Sequence, residues 1–195
     1  MKVLIIDKDG VLNPPVAGAA IKWGFKNMPL NSMLKFMFGY VFLKKFDDSK
    51  MEELNQFFVE EGHKYSPSSS SISAMVALRN KYDKVVLATN GGAGEKSTIR
   101  VHNEVEKYYP PNTFDEIVVQ GVKSPKTLIY QQYVADGHDI TVIDDSRRHI
   151  KSALSVGVEH VVKIGKKKSR NLPDNVIVAK DLAEYAIIKE MDKGK

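Results

Sequence analysis

The stretch IIDKDGVL, residues 5–12, decides how this chain is read. An apolar strand runs into two aspartates, Asp7 and Asp9, with a lysine between them and Gly10 after them. Strands disfavour Asp, and two carboxylates this close repel unless something cationic sits between them. The segment is either a turn that is acidic by accident or a site that holds a metal. The remainder of the chain has to decide.

A length of 195 residues suits one compact domain carrying a small insertion, and 43% hydrophobic residues are enough for a substantial core. No cysteine is present, which excludes disulfides, thiolate metal sites and cysteine nucleophiles and favours a reducing, cytoplasmic setting. The start, MKVLIID, is one short apolar run broken at Asp7, so it does not read as a signal peptide. The net charge of +5 suits an anionic partner: a phosphorylated small molecule, a nucleic acid or an acidic membrane surface. The densest basic run, IGKKKSR (164–170), reads as a solvated loop, so a nucleic acid is the less favoured partner. Oligomeric state cannot be read from these features.

Short β-branched runs recur with helical stretches between them. The expected strands are VLII (3–6), KVVLAT (84–89), EIVVQ (116–120), ITVID (140–144), HVVKI (160–164) and NVIVA (175–179). Each is apolar almost throughout, as in strands buried on both faces of a parallel sheet. Helices are expected over 72–82, 95–109, 125–137 and 147–157, with Ser124-Pro125 as a start signal and Gly137 and Gly157 as stops. Such alternation predicts an α/β sandwich.

Residues 13–67 break the alternation. LNSMLKFMFGYVFLKKF (30–46) and DDSKMEELNQFFVEEG (47–62) read as a helical pair, the second with Met51, Leu54, Phe57 and Phe58 on one face. The serines of SPSSSSIS (66–73) read as a return hinge. This predicts a core built from 1–12 and 68–195 and a helical insertion over 13–67. The apolar stretch 33–43 is too short to span a bilayer, which needs roughly 20 apolar residues. It reads as a buried helix of the insertion, with a dimer contact, a lipophilic wall or a membrane-surface contact left open. Trp23 reads as insertion core.

In open parallel sheets ligands bind beyond the carboxyl ends of the strands. Polar residues gather there: Asp7 and Asp9 after the first strand, Thr89 and Asn90 after KVVLA, Lys123 and Lys126 after EIVVQG, and Asp144 and Asp145 after ITVI. Each alone is an ordinary turn residue. Their joint arrival on one sheet edge favours a site.

The order of these groups resembles the haloacid dehalogenase (HAD) superfamily of phosphohydrolases over about residues 1–182. The DxDGxL motif stands as Asp7-Lys8-Asp9-Gly10-Val11-Leu12, the strand ending in Thr as LATNG, the motif lysine in GVKSPK and the acidic pair as VIDDS. The resemblance implies a Rossmannoid three-layer sandwich with a parallel sheet and a small α-helical cap insertion. It further implies a phosphatase acting on a small phosphorylated metabolite through an aspartyl-phosphate. Asp7 would be the nucleophile, and Asp9 the acid and then the base. Thr89 and Asn90 would donate to phosphate, and a lysine would offset its charge. Mg²⁺ would be held by the Asp7 carboxylate, the Asp9 main-chain carbonyl and Asp144 or Asp145. Counting back from Gly137 favours Lys123 as the motif lysine, while a shorter alignment selects Lys126. An aspartate at position 9 favours phosphoryl chemistry over dehalogenation. Phosphotransferases and phosphomutases share it, and a binding protein on the same fold is the remaining alternative. The five histidines, His149 included, show no metal-ligand spacing and read as surface or core residues.

Overall fold

The computed structural model describes residues 1–14, 29, 31, 66–90, 94–121, 124–165 and 172–191. Six parallel strands form one sheet: β1 (Lys2–Ile6), β2 (Lys84–Thr89), β3 (Glu116–Val119), β4 (Asp139–Asp144), β5 (His160–Ile164) and β6 (Ile177–Ala179). Their order across the sheet is β3-β2-β1-β4-β5-β6. β1 is central, with Ile5 paired to Val86 on one side and to Val142 on the other. The helices among the described residues are α1 (Ser69–Arg79), α2 (Glu95–Tyr108), α3 (Thr127–Ala135), α4 (Arg147–Ser155) and α5 (Leu182–Met191).

The two-residue period of a strand sends alternate side chains into two separate cores. On one face, Leu4, Ile6, Val85, Leu87 and Ile143 pack with Met75 and Leu78 of α1, Val101 of α2 and Tyr185 of α5. On the other, Val3, Ile5, Val86, Val142 and Val161 pack with Tyr130 and Tyr133 of α3 and Ile150 and Ala153 of α4. The central strands are buried on both sides, which is why they read as unbroken apolar runs. The expected α/β three-layer architecture is what the structure shows.

The chain divides into two compact units, one of Met1–Asn13 with Pro67–Lys195, the other Pro14–Ser66. The helices expected over 30–62, the apolar stretch 33–43, Trp23 and the lysines of 166–168 lie outside the described residues. No helix among the described residues is long and apolar enough to cross a membrane.

Three local expectations change. The serine run is not all hinge: Ser68 is the N-cap of α1, its side chain accepting the Ser71 N–H at 3.1 Å, and the next serines form the first turn. Serine at the cap satisfies an amide that a helix start otherwise leaves without a partner. α3 begins at Thr127, with Lys126 rather than Ser124 in the capping position. α5 was not foreseen, although Asp181 accepts the Glu184 N–H at 3.0 Å and Glu184 reaches back to the Lys180 N–H, a pairing close to a capping box.

Ser68→Ala is expected to destabilise the protein by about 1 kcal/mol, the usual worth of a serine cap. Urea unfolding of the two proteins measures it; an unchanged midpoint would return the serine run to a hinge.

Candidate active site

Strand order, not sequence order, assembles the acidic edge. β2, β1 and β4 are neighbours, so Thr89, Asp7 and Asp144 stand side by side at their carboxyl ends. Asp7 continues the ladder beyond β1, its N–H donating to the Ile143 carbonyl at 3.0 Å.

The chain then turns sharply. Gly10 N–H donates to the Asn13 carbonyl at 2.8 Å, and the Leu12 and Asn13 N–H groups both donate to the Lys8 carbonyl at 2.9 Å. Gly10 is required twice over. Its φ is +91°, and a Cβ there would lie 2.1 Å from Asp145 Oδ2. The missing side chain lets the β4 loop bring Asp145 against the β1 loop.

The lysine between the two aspartates is buried. Lys8 Nζ donates to Glu104 Oε2 of α2 at 2.6 Å and lies 3.0 Å from Asp9 Oδ1. Burial opposes its charge, but the Asp9 and Glu104 carboxylates outweigh this and hold the ammonium above its ordinary pKa. Glu104 is held in turn by Arg100 Nη1 at 3.1 Å. The repulsion noted at residues 7–9 is thus answered partly within the chain.

The centre of the edge is Lys126, whose side chain is 1% exposed. Its Nζ donates to Asp7 Oδ1 at 2.7 Å and to Asp144 Oδ2 at 2.8 Å. Asp144 also accepts the Ser146 N–H on Oδ1 at 2.8 Å, and His149 Nδ1 lies 3.1 Å from Oδ2. Both oxygens of Asp144 are therefore engaged, whereas Asp145 takes none of these bonds. Burial works to raise the Asp144 pKa, yet Lys126 and His149 hold it below the ordinary range. Burial pushes Asp7 up to about 8, with Lys126 opposing and the Asp144 and Asp9 carboxylates adding to the rise. Burial and Asp144 push Asp145 up to about 6.

Burial is the first cause of both upward shifts, and the neighbouring carboxylates add to it. One carboxylate oxygen each from Asp7, Asp144 and Asp145 lie within 4.8 Å of one another. Three carboxylates meet here, Lys126 bonding two of them and the Lys163 ammonium also acting on Asp145, so carboxylates remain in excess. Hard oxygen donors with that excess fit a divalent cation such as Mg²⁺.

At the neighbouring strand end, Thr89 Oγ1 is buried and has no hydrogen-bond partner among the described residues. A hydroxyl in that state is suited to an incoming acceptor. Asn90 differs from the expectation: its Nδ2 donates to the Gly121 and Ser124 carbonyls, both at 2.8 Å. Both amide hydrogens brace the loop that leads to Lys126, leaving none for phosphate. Lys123 lies outside the described residues. His149 was read as an ordinary helix residue; its only sequence signal was its position five residues after Asp144 at the start of a helix.

No protein-family model matches the chain, and no curated protein matches it. Solved structures do. A D,D-heptose 1,7-bisphosphate phosphatase from B. bronchiseptica, complexed with magnesium and phosphate, superimposes with a TM-score of 0.61 at 18% identity, over 98% of this chain and 99% of that one. A HAD phosphatase from Thermococcus onnurineus gives 0.66 at 16% identity, over 97% and 98%. An archaeal β-phosphoglucomutase from Pyrococcus gives 0.59 at 15% identity, over the whole of both chains. The fold of this chain is HAD-like.

Asp7 gives the metal-free site a pH signature. Its folded pKa of about 8 lies above the ordinary 3.8, so its contribution to stability is fully present below about pH 4 and is lost as pH rises through 8. In EDTA, Asp7→Asn is expected to raise the melting temperature at pH 8.5 and to do so less at pH 5. Mg²⁺ is expected to raise the native protein most at the higher pH, where Asp7 is free to ionise. Calorimetric melting at both pH values, with and without Mg²⁺, checks this; a variant indistinguishable from native at pH 8.5 in EDTA refutes it. Gly10→Ala is expected to weaken Mg²⁺ binding in isothermal titration, because the new methyl group must displace Asp145.

Proposed function

We propose that this protein is a Mg²⁺-dependent phosphatase hydrolysing a phosphate monoester, with a small phosphorylated metabolite as substrate, through an aspartyl-phosphate on Asp7. The observation that carries this reading is the buried bridge from Lys126 to Asp7 and Asp144, set beside a third carboxylate at the mouth of a parallel sheet. A purely structural role would not leave Asp7 so poorly neutralised, whereas a site built to receive a cation and an anionic ester would.

In the first step a carboxylate oxygen of Asp7 attacks phosphorus and the bond to the ester oxygen breaks. Asp9 gives its proton to the departing oxygen. In the second step Asp9 takes a proton from a water that attacks the same phosphorus, releasing inorganic phosphate and restoring the Asp7 carboxylate. Lys126, fixed against Asp7, offsets charge on the phosphoryl oxygens, and the Thr89 hydroxyl donates to one of them. Asp7, Asp145 and the Asp9 carbonyl would hold Mg²⁺, which supplies further counter-charge when bound. Asp144 is given the supporting role because Lys126, His149 and Ser146 already occupy its oxygens.

Lys126 is assigned as the motif lysine in place of Lys123, on the strength of its two carboxylate bonds. Residues 13–67 are assigned as a helical cap that selects the substrate. The cysteine-free composition supports a cytoplasmic setting. The β-phosphoglucomutase among the structural neighbours favours a second reading, transfer of the phosphoryl group to a sugar phosphate rather than to water. A nucleic-acid substrate is the weaker option, checked by whether oligonucleotide binding falls steeply with salt.

Hydrolysis of an aryl phosphate and of a panel of phosphorylated metabolites tests the proposal. Turnover is expected to require Mg²⁺ and to fall at least about 1000-fold in Asp7→Asn, which removes the nucleophile. Lys126→Met is expected to lose about 100-fold in kcat, the scale for one electrostatic stabiliser, while Lys123→Met stays near native. No turnover on any ester combined with no Mg²⁺ binding in calorimetry would overturn the enzyme reading.

A further inference from the structure

We infer that His149 is a positioning residue for the nucleophile, acting through Asp144 and Lys126; the inference rests on the reading of Asp7 as the phosphate acceptor. A continuous line of bonds carries it. His149 Nδ1 lies 3.1 Å from Asp144 Oδ2, the oxygen that also accepts from Lys126 Nζ at 2.8 Å. Lys126 Nζ then reaches Asp7 Oδ1 at 2.7 Å. Every member of the line is buried or nearly so, and the imidazole is 13% exposed.

The geometry explains why a third contact on Asp144 matters. The Ser146 N–H holds only Oδ1. Apart from the imidazole, Oδ2 is bonded to Lys126 Nζ, the very group whose position it helps to set. The imidazole, by donating, gives Oδ2 a second partner, one carried by α4 rather than by the head of α3. Its own position is imposed from below, because Ile150 and Ala153 of the same helix are fully buried against the sheet. The packing of α4 is thereby transmitted to the atom that attacks phosphorus. Donation from Nδ1 is available both to the neutral Nδ1–H tautomer and to the cation, so the role does not depend on the charge of the ring.

Two substitutions separate positioning from mere packing. His149→Leu keeps the bulk and removes the donor. His149→Asn puts an amide donor close to where Nδ1 stands. With an aryl phosphate and saturating Mg²⁺, His149→Leu is expected to lower kcat about 10- to 100-fold with KM changed by less than about threefold, the loss seen when an outer partner of a site ligand is removed. His149→Asn is expected to recover to within about threefold of native, whatever the two melting temperatures, because its amide restores a donor to the same oxygen. In the metal-free protein, ¹H–¹⁵N spectra of the imidazole are expected to show a proton on Nδ1 that shifts in Asp144→Asn.

A native-like kcat in His149→Leu overturns the inference, as does an equal loss in both variants, or an Nδ1 without a proton. Native turnover separates this failure from that of the underlying reading: if the native protein is inactive on every ester, both fall together. If the native protein is active and only the ratios fail, His149 alone loses its role.

Discussion

The structure turns on one buried ammonium. Lys126 sits at the head of α3 and joins Asp7, the first residue beyond β1, to Asp144, the last of β4. Burying a charge is unfavourable unless it is paired and fully hydrogen-bonded, and even then a hydrophobic replacement is often no less stable. Its burial at the mouth of the sheet is therefore weak evidence for stability. Three carboxylates, Asp7, Asp144 and Asp145, crowd this edge, and Lys126 bonds only two of them. Such a set of hard oxygen donors fits a divalent cation.

Around this bridge the fold supplies rigidity from both faces of the sheet. On the α3 and α4 side, Tyr130, Ile150 and Ala153 are fully packed, which fixes the helices carrying Lys126 and His149. On the α2 side, Glu104 draws Lys8 into the protein and so ties the loop bearing Asp9 to a helix that is distant in sequence. Gly10 closes the arrangement by letting Asp145 approach within a distance that any side chain would block. Loops hold these acidic groups, but each is fastened to a regular element, and this is how a polar edge keeps a defined geometry.

Much of this was legible beforehand. The five longer strands were readable because burial on both faces demands unbroken β-branched runs, a signal independent of neighbours. The clustering of Asp7, Thr89, Lys126 and Asp144 could be anticipated because a parallel sheet delivers all its carboxyl ends to one edge. Asn90 could not be assigned, because an amide serves a loop carbonyl as readily as a phosphate. The serine run misled for a related reason: serine is at once a linker residue and a favoured N-cap, and only the packing of Met75 and Leu78 decides between them. α5 escaped because it follows the last strand, where no further alternation called for a helix.

By itself the sequence determined the layer architecture and the sheet edge at which Asp7, Thr89, Lys126 and Asp144 gather. These follow from local periodicity and from residue chemistry, which the order of amino acids carries directly. The tertiary structure alone decided which partners meet. Strand order brought β2, β1 and β4 together across long gaps in sequence, and helix packing selected Lys126 for the bridge and His149 for Asp144. Charge pairing depends on distances of about 3 Å between side chains from remote segments, and no periodicity along the chain encodes such distances.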